Sequence, residues 1–404
     1  METPRNALAF ILATILIDAI GVGLIFPLLP DLMARVGAAD NGAGAVWGGI
    51  LMAAYALMQF VFAPIVGGLS DAFGRKPVLL TAMATLAVDY VIMALAGTFG
   101  LLLLGRLLAG IAGATHTTAT AYLADISPPE KRATNFGLVG ATYGIGFVMG
   151  PALGGLLAAW HVTAPFWVAG AFAAANVVLG LVALPESLPP ARRRAFSGTD
   201  LNPFGAIRAA FRLPGLALPL FCLFVFEFAN MVYPTLWAFW TREVFGWSAA
   251  MIGFSFAYFG IGVALAQAVA LPAMIRAGGE FRTLMIGLIA GIVAMVWLGL
   301  GPPAWLVLTL LPIACISDIV PPTITAMMSN LVPDDRQGLL QGVIAALGSI
   351  SAVIAPLIVT PLFEVFAAPD ARLYLPGAPF LAAGILLLAV LPFFLALSPG
   401  RARS

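Results

Sequence analysis

The chain has 404 residues, of which 62% are apolar and only 9% are charged. Soluble domains carry roughly 25% charged residues, so this composition excludes a soluble fold of this length. The net charge of +1 gives no reason to expect a nucleic-acid partner. The sequence therefore predicts an all-helical integral membrane protein that crosses a lipid bilayer many times.

Apolar stretches long enough to cross a bilayer, about 20 residues each, recur along the whole chain. The first is too long for a signal peptide and lacks a cleavage site. We predict twelve spans, at 7–30, 46–69, 78–96, 100–123, 134–158, 164–184, 216–241, 248–275, 283–301, 304–329, 338–363 and 376–397.

The longest polar connection, 185–215, predicts a boundary between two six-helix bundles, 1–184 and 216–404. The two halves repeat each other, because Pro129-Glu130-Lys131-Arg132 before span five matches Pro333-Asp334-Asp335-Arg336 before span eleven at an offset of 204 residues. Parallel six-helix repeats occur in secondary transporters, which bind substrate near the midplane.

Basic residues predict the orientation of these spans. If the N-terminus is cytoplasmic, fifteen of the 19 Lys and Arg residues lie in cytoplasmic segments, and three lie outside, at Arg35, Arg242 and Arg372. Cytoplasmic segments carry the excess of basic residues in membrane proteins. We therefore expect both termini in the cytoplasm.

A short charged, glycine-rich turn, here called the charged hinge, separates spans two and three. It runs from Gly67 to Pro77 and contains Gly67, Asp71, Gly74, Arg75 and Lys76. The spacing G-x-x-x-D-x-x-G-R-K between two such spans resembles the motif that the major facilitator superfamily carries between its second and third helices.

Further segments resemble the drug–proton antiporter branch of that family, and within it the tetracycline exporters. The resemblance covers nearly the whole chain and is denser in the first half. The segments are 16–25, 55–60, 87–94, 121–126 and 336–338, Arg106 with Gly110 and Gly113, and the glycine-rich run Gly144, Gly146, Gly150, Pro151, Gly154 and Gly155.

The resemblance implies a fold of two pseudo-symmetric six-helix bundles that rock to expose the substrate alternately to each side. It implies that Asp71 faces the N-terminus of span eleven, and that Arg75 pairs with Asp125 to latch one side. It also implies that the seam of Gly146, Gly150, Pro151 and Gly154 packs against the other half, whereas the residues alone indicate only close helix packing.

The resemblance further implies a bacterial inner-membrane location, a proton gradient as the energy source and no cofactor. We expect a monomer whose partners are a small-molecule substrate, protons and lipid. Whether the substrate arrives as a metal chelate is left open.

Ionisable residues inside spans are costly and therefore indicate function. The candidates for proton coupling are Asp18, Asp89, Arg106, Glu227 and Asp318. Asp89 and Arg106 reach similar depth on adjacent spans at 1.5 Å rise per residue, which predicts an ion pair. That pair is either structural only or opens with substrate or proton.

Asp18 lies in the middle of span one, on the face that also carries Thr14 and Gly21. Its own span carries no basic residue. Burial favours the neutral form of a carboxyl group, which suits a proton carrier that ionises when it meets a less acidic side. The matching aspartate of the resembling family is needed for transport.

The sequence departs from the tetracycline exporters in its second half. The usual carboxylate of helix nine aligns with Gly291, and the histidine of helix eight aligns with Val263. We expect Asp318 to replace the missing carboxylate, whereas Asp318 and Glu227 binding a cationic substrate directly is the alternative. These departures leave open whether tetracycline itself is transported.

Polar and aromatic residues inside the spans are candidates for the substrate pocket. They are Gln59, His116, Asn176, Asn230, Tyr233, Trp237 and Gln267. Aromatic residues crowd span seven and suit a planar apolar ligand, although lipid-facing aromatics are the alternative. The two cysteines, Cys222 and Cys315, are expected to pack in the interior, and no metal site is expected.

These features predict a proton-driven exporter of drug-like amphipathic molecules, tetracycline-like or multidrug. The alternative is a proton symporter that imports a small polar metabolite on the same fold. An enzyme would need a nucleophile–base pair or a metal cluster, and neither is evident. A receptor would not need the buried carboxylates or the repeat.

Overall fold

The structure is a computed structural model that describes residues 5–113, 115–196, 215–333 and 336–398. Helices account for most of these residues, and the described chain contains no strand. The all-helical membrane fold predicted from composition is confirmed. The long helices fit a membrane for two reasons: the backbone in lipid must satisfy its own hydrogen bonds, and the hydrocarbon core favours apolar side chains.

Among the described residues, eight α-helices precede the polar connection in the middle of the chain. They are α1 (Arg5–Leu24), α2 (Leu29–Arg35), α3 (Asn41–Phe73), α4 (Arg75–Leu95), α5 (Phe99–Gly113), α6 (Thr115–Ile126), α7 (Pro129–Ala158) and α8 (Ala164–Ala183).

Eight more follow the connection. They are α9 (Ala217–Asn230), α10 (Val232–Phe245), α11 (Ala249–Leu265), α12 (Leu271–Gly299), α13 (Ala304–Ser317), α14 (Val320–Ser329), α15 (Gln337–Ala367) and α16 (Ala378–Leu395). A single π-helical stretch, Ala266–Ala270, joins α11 to α12.

Eleven candidate membrane spans are found among the described residues, against the twelve predicted. The difference lies at Ala249–Gly299, a 51-residue span that covers two predicted ones. At 1.5 Å per residue it is far longer than a bilayer core. Gly279 breaks it, because its φ of 76° and ψ of 171° are not helical. Two crossings therefore run through this one apolar stretch.

Helix packing divides the chain into two compact units. Unit 1 contains Met1–Ala38, Leu51–Pro203 and Ala249–Phe254, and unit 2 contains Ala39–Ile50, Phe204–Ser248 and Ser255–Ser404. The predicted bundle boundaries at 184 and 216 stay predictions.

The glycine seam of α7 packs against α1, in the most extensive helix–helix contact of the structure. A methyl group at Gly146 would lie 2.6 Å from the Cβ of Ala19, and one at Gly150 would lie 2.5 Å from the carbonyl oxygen of Ile20. Gly154 meets the carbonyl group of Leu24 in the same way. The two backbones touch because these positions carry no side chain.

This arrangement corrects part of one expectation from the resemblance. Gly146, Gly150 and Gly154 pack on α1, so the expectation that the seam contacts the second half of the chain is wrong for these three glycines. It is confirmed at Pro151, because a methyl group at Gly253 of α11 would collide with the Pro151 carbonyl oxygen, and one at the nearby Gly155 would collide with that of Ala249. Pro151 lies inside α7, and its ring approaches the position that a methyl group at Gly23 would occupy. The close contact between α1 and α7 therefore extends over about two turns of α7.

We predict that Gly150→Ala lowers the thermal stability of the purified protein. The new methyl group would collide with the α1 backbone, and overpacking of this kind costs about 1–3 kcal/mol. The measurement is the midpoint of thermal unfolding in detergent, compared with the unmodified chain.

Gly144→Ala is the matched control on the same helix, because nothing lies within 4 Å of a methyl group built there. Its midpoint should stay the same or rise, since Ala favours a helix over Gly. Equal midpoints for both variants would contradict the close contact between α1 and α7.

Candidate functional site

Asp18 lies at a small cavity between α1, α4 and α8 in unit 1. The cavity is lined by Thr14, Ile17, Asp18, Met83, Leu86, Ala173 and Asn176. Two residues predicted from the sequence, Asp18 and Asn176, therefore meet at one site. Apolar side chains form the rest of the wall, so few polar atoms face the Asp18 carboxyl group.

The polar wall of this cavity is held in place by hydrogen bonds. The Asn176 side-chain amide donates to Thr14 Oγ1 at 3.0 Å. Thr14 Oγ1 in turn donates to the carbonyl oxygen of Phe10 at 2.9 Å. Both side chains are buried. Among the described residues, Asp18 has no ion-pair partner, so its charge is balanced only when the carboxyl group holds a proton.

Three tyrosines that the sequence did not single out as site residues lie near Asp18. Tyr55, Tyr90 and Tyr143 each interact electrostatically with its carboxyl group. The hydroxyl group of Tyr90 occupies the space beside Gly21 that any larger residue would need. Hydroxyl groups donate and accept hydrogen bonds, so they suit a path for protons near Asp18.

The predicted ion pair between α4 and α5 is present. Arg106 Nη2 lies 2.8 Å from Asp89 Oδ2, and the side chains are 8% and 0% exposed. Gly105 allows this approach, because a methyl group there would lie 2.6 Å from Asp89 Oδ1. The buried pair satisfies two charges that hydrocarbon would otherwise leave unpaired.

Arg106 also joins the ion pair to the surroundings of Asp18. Its guanidinium carbon lies 5.9 Å from the centre of the Tyr55 ring, a distance that fits a cation–π contact. Asp89 Oδ1 and Arg106 Nε have no hydrogen-bond partner among the described residues. The pair therefore retains an acceptor and a donor for further contacts.

The charged hinge is a network of ion pairs in unit 1. Arg75 pairs with Asp71 and also contacts Asp125 Oδ2 at 3.2 Å, as predicted for Arg75 and Asp125. Arg75 Nη1 donates to Ser70 Oγ at 2.8 Å. Gly74 turns the chain with a φ of 106°, a conformation that favours glycine.

The segment after α8 joins this network, which the sequence did not predict. Glu186 accepts hydrogen bonds from the backbone N–H groups of Arg75 and Lys76, at 2.9 and 3.2 Å. A carboxylate at this point offsets the partial positive charge of the α4 N-terminus. Arg194 Nε lies 2.8 Å from Asp71 Oδ2. That Asp71 faces span eleven stays a prediction.

Unit 2 carries a second acidic site, here called the acidic pair site, formed by Glu227, Asn230, Tyr233 and Asp318. Asn230 Nδ2 donates to Asp318 Oδ1 at 3.2 Å. Asp318 interacts electrostatically with Glu227 and with Tyr233. The exposed Gln267 donates to the backbone carbonyl oxygen of Asp318 at 3.2 Å. Five residues predicted from spans seven, eight and ten therefore converge.

Gly291 lies next to this site. A methyl group at Gly291 would lie 3.1 Å from the Cβ of Ser317, the residue before Asp318. A carboxylate on α12 at this position would therefore point at the chain segment that carries Asp318. The geometry fits the expectation that Asp318 replaces the missing carboxylate from the neighbouring helix.

The remaining predicted pocket residues are dispersed. Gln59 donates to the carbonyl oxygen of Gly113 at 3.3 Å. Trp237 is buried and donates its indole N–H to Ser255 Oγ at 2.8 Å, so it packs in the interior of unit 2. The side chain of His116 lies outside the described residues. Both cysteines are free and buried, as predicted.

Comparisons with known proteins give the same family along most of the chain. The family model described as Major Facilitator Superfamily matches residues 11–356 and 220–403. The tetracycline resistance protein, class C, of Escherichia coli is 39% identical over 94% of this chain and 97% of its own length. The quinolone resistance protein NorA of Staphylococcus aureus is 27% identical over 86% of this chain and 87% of its own.

A solved structure shows the same fold. The crystal structure of a bacterial homolog of the human lysosomal transporter Spinster covers 100% of this chain and 99% of its own, with a TM-score of 0.81 and 15% identity.

We predict that Asp89→Asn and Arg106→Gln each destabilise the protein, because each leaves a buried charge without its partner. Losing one member of a buried pair costs about 3–5 kcal/mol. Thermal unfolding of both single variants and the double variant completes a double-mutant cycle.

The double variant should be at least as stable as the less stable of the two single variants, since it leaves neither charge buried without a partner. If the two losses simply add, the residues do not interact and the ion pair is refuted.

Proposed function

Because the chain belongs to the Major Facilitator Superfamily, we propose that it is a proton-coupled antiporter that exports drug-like amphipathic small molecules. It is a transporter and not an enzyme. The alignment along almost the whole chain with proteins named for resistance to tetracycline carries this proposal. NorA, named for resistance to quinolones, supports a drug as cargo beyond one compound class.

The chain is a multi-pass membrane protein. We infer from its bacterial relatives that it resides in the inner membrane. We also infer that both termini are in the cytoplasm, because basic residues concentrate in the segments placed there. Its energy source is the proton gradient, and it acts as a monomer without a cofactor. Alternating access then requires groups that hold a proton on one side and release it on the other.

Asp18 is the proposed proton carrier of unit 1. It stands without an ion-pair partner among the described residues, beside a cavity with a fixed polar wall and three neighbouring tyrosines. The Asp89–Arg106 pair lies close to two of these tyrosines, Tyr55 and Tyr90. A proton on Asp18 or Asp89 would change the net charge of this cluster of side chains. Antiport needs such a group of residues whose charge changes when a proton binds.

Asp318 is the proposed proton site of unit 2, in place of the carboxylate that Gly291 lacks. The proximity of Gly291 and Ser317 supports this replacement. Since Val263 and Gly291 differ from the tetracycline exporters, the proposed cargo extends to other planar amphipathic drugs. The aromatic core around Tyr233 favours such ligands.

We predict that adding a tetracycline or a quinolone to energised everted membrane vesicles releases protons from the vesicle interior when the chain is present. Export into the vesicle is exchanged for protons, so a pH-sensitive dye reports the loss of the gradient. Asp18→Asn should abolish this response, because an amide cannot carry the proton. Asp318→Asn should also reduce it.

Asp370→Asn is the matched control, since this exposed carboxylate lies outside both sites. Gradient-dependent accumulation of drug inside whole cells would instead establish import. An unchanged response in Asp318→Asn would refute the replacement of the missing carboxylate while leaving proton-coupled export intact.

A further inference from the structure

The span Ala304–Ser329 of unit 2 is interrupted where α13 ends and α14 begins. α13 ends at Ser317, and α14 begins at Val320. Between them the N–H groups of Asp318 and Ile319 donate to carbonyl oxygens three residues back, at 3.3 Å each, and not four residues back. A tightened turn of this kind is typical of a helix end. The chain therefore changes helix at Asp318, the proposed proton site.

Two prolines leave the backbone carbonyl oxygen of Asp318 without a helical donor. In an α-helix this oxygen accepts from the N–H group four residues later, and in a tightened turn from the one three residues later. Those positions are Pro322 and Pro321, and proline has no backbone N–H. The next N–H group, that of Thr323, donates to the carbonyl oxygen of Ile319 at 3.2 Å. Within a membrane, a carbonyl group freed by proline needs another donor.

The side chain of Gln267 supplies this donor. Its Nε2 donates to the carbonyl oxygen of Asp318 at 3.2 Å. Gln267 lies in the π-helical stretch Ala266–Ala270, a rare conformation that is frequent at functional sites. The side chain is exposed on unit 2, so replacing it removes a hydrogen bond without opening a cavity in the core.

Unit 1 contains the same type of hydrogen bond at the matching place in the sequence repeat. Gln59 on α3 donates to the carbonyl oxygen of Gly113 at 3.3 Å. Gly113 and Asp318 are 205 residues apart, which is also the offset between Pro151 and Pro356. The residues three and four positions after Gly113 both carry a backbone N–H. Both units therefore use a glutamine at this place, but only in unit 2 do prolines remove the alternative donors.

We propose that Gln267 is a positioning residue, whose amide replaces the backbone donors that Pro321 and Pro322 remove and thereby fixes the chain at Asp318. The inference rests on the proposed function, because it matters for transport only if Asp318 carries a proton. Asn230 holds the carboxyl group itself, with a hydrogen bond of 3.2 Å to Asp318 Oδ1. Backbone and side chain of Asp318 are thus held from two different helical segments.

The first test measures thermal unfolding of the purified full-length protein in detergent. Gln267→Leu should lower the midpoint by about 2–4 °C, because one hydrogen bond is lost. Pro322→Ala restores a backbone N–H four residues after Asp318, so Gln267→Leu should cost less in a Pro322→Ala background. Gln341→Leu replaces an exposed glutamine of α15 and should unfold as the wild type does. An equal loss in both backgrounds overturns the proposal.

The second test is the pH profile of drug-driven proton release in everted membrane vesicles. Asn230 donates to the Asp318 carboxyl group, and a hydrogen bond of this kind favours the ionised form. When Gln267→Leu frees the chain at Asp318, this contact weakens, and the midpoint of the profile should move to higher pH. Partial unfolding alone would lower the rate at every pH without moving the midpoint. An unchanged midpoint in Gln267→Leu overturns the proposal.

The titratable groups that interact with Asp318 are the same in this variant as in the wild type. In the described structure they are Glu227 on α9, Tyr233 on α10 and Cys315 on α13. Adding Pro322→Ala to Gln267→Leu should return the midpoint toward the wild-type pH, because a backbone donor is restored. Gln341→Leu should leave it unchanged.

The outcomes separate this inference from the proposed function. Proton-coupled export whose pH profile and unfolding do not respond to Gln267→Leu refutes only the positioning role. Absence of drug-driven proton release in the wild type refutes the exporter, and the hydrogen bond of Gln267 is then decided by the unfolding measurements, which require no transport.

Discussion

Every charge placed in hydrocarbon must find a partner, and this constraint organises the interior of the protein. Asp89 meets it with Arg106, through a buried ion pair that also reaches Tyr55. Asp18 has a polar wall but no countercharge, and the acidic pair site has two carboxyl groups and no countercharge. Burial disfavours the charged form of these carboxyl groups, so each is favoured when it holds a proton. Burying a carboxyl group without a countercharge destabilises the fold, but it also makes the group respond to a proton, which a proton-coupled transporter needs.

The polar networks of the two units serve different purposes. In unit 1 the charged groups of the hinge have partners within the unit, because Arg75 pairs with Asp71 and Asp125 while Glu186 accepts hydrogen bonds at the start of α4. In unit 2 the acidic pair site keeps acceptors unfilled. A satisfied network fixes a conformation, whereas an unsatisfied one depends on what binds to it. One chain therefore combines a structural set of charges with a responsive one.

Sequence reasoning succeeded where local geometry decides. Helix rise alone placed Asp89 beside Arg106, whereas the resemblance to the family implied that Arg75 pairs with Asp125. Sequence reasoning failed where a glycine pattern states that a contact exists but not with which helix, because the resemblance implied the other half as the partner of Gly150, which packs on α1. It also missed Tyr90 at the Asp18 site, because a tyrosine in an apolar run looks like any core aromatic. Glu186 was missed because it lies more than a hundred residues from the helix end that it stabilises.

The seam between α1 and α7 limits how unit 1 can deform. At Gly146, Gly150 and Gly154 the α7 backbone lies directly against α1, so sliding along the helix axis would bring larger residues of α7 against the α1 backbone. Shear between packed helices needs side chains that can re-pack. Asp18 lies on the opposite face of α1. It therefore moves only when α1 and α7 rotate together, and the orientation of this helix pair determines how far the Asp18 carboxyl group is exposed.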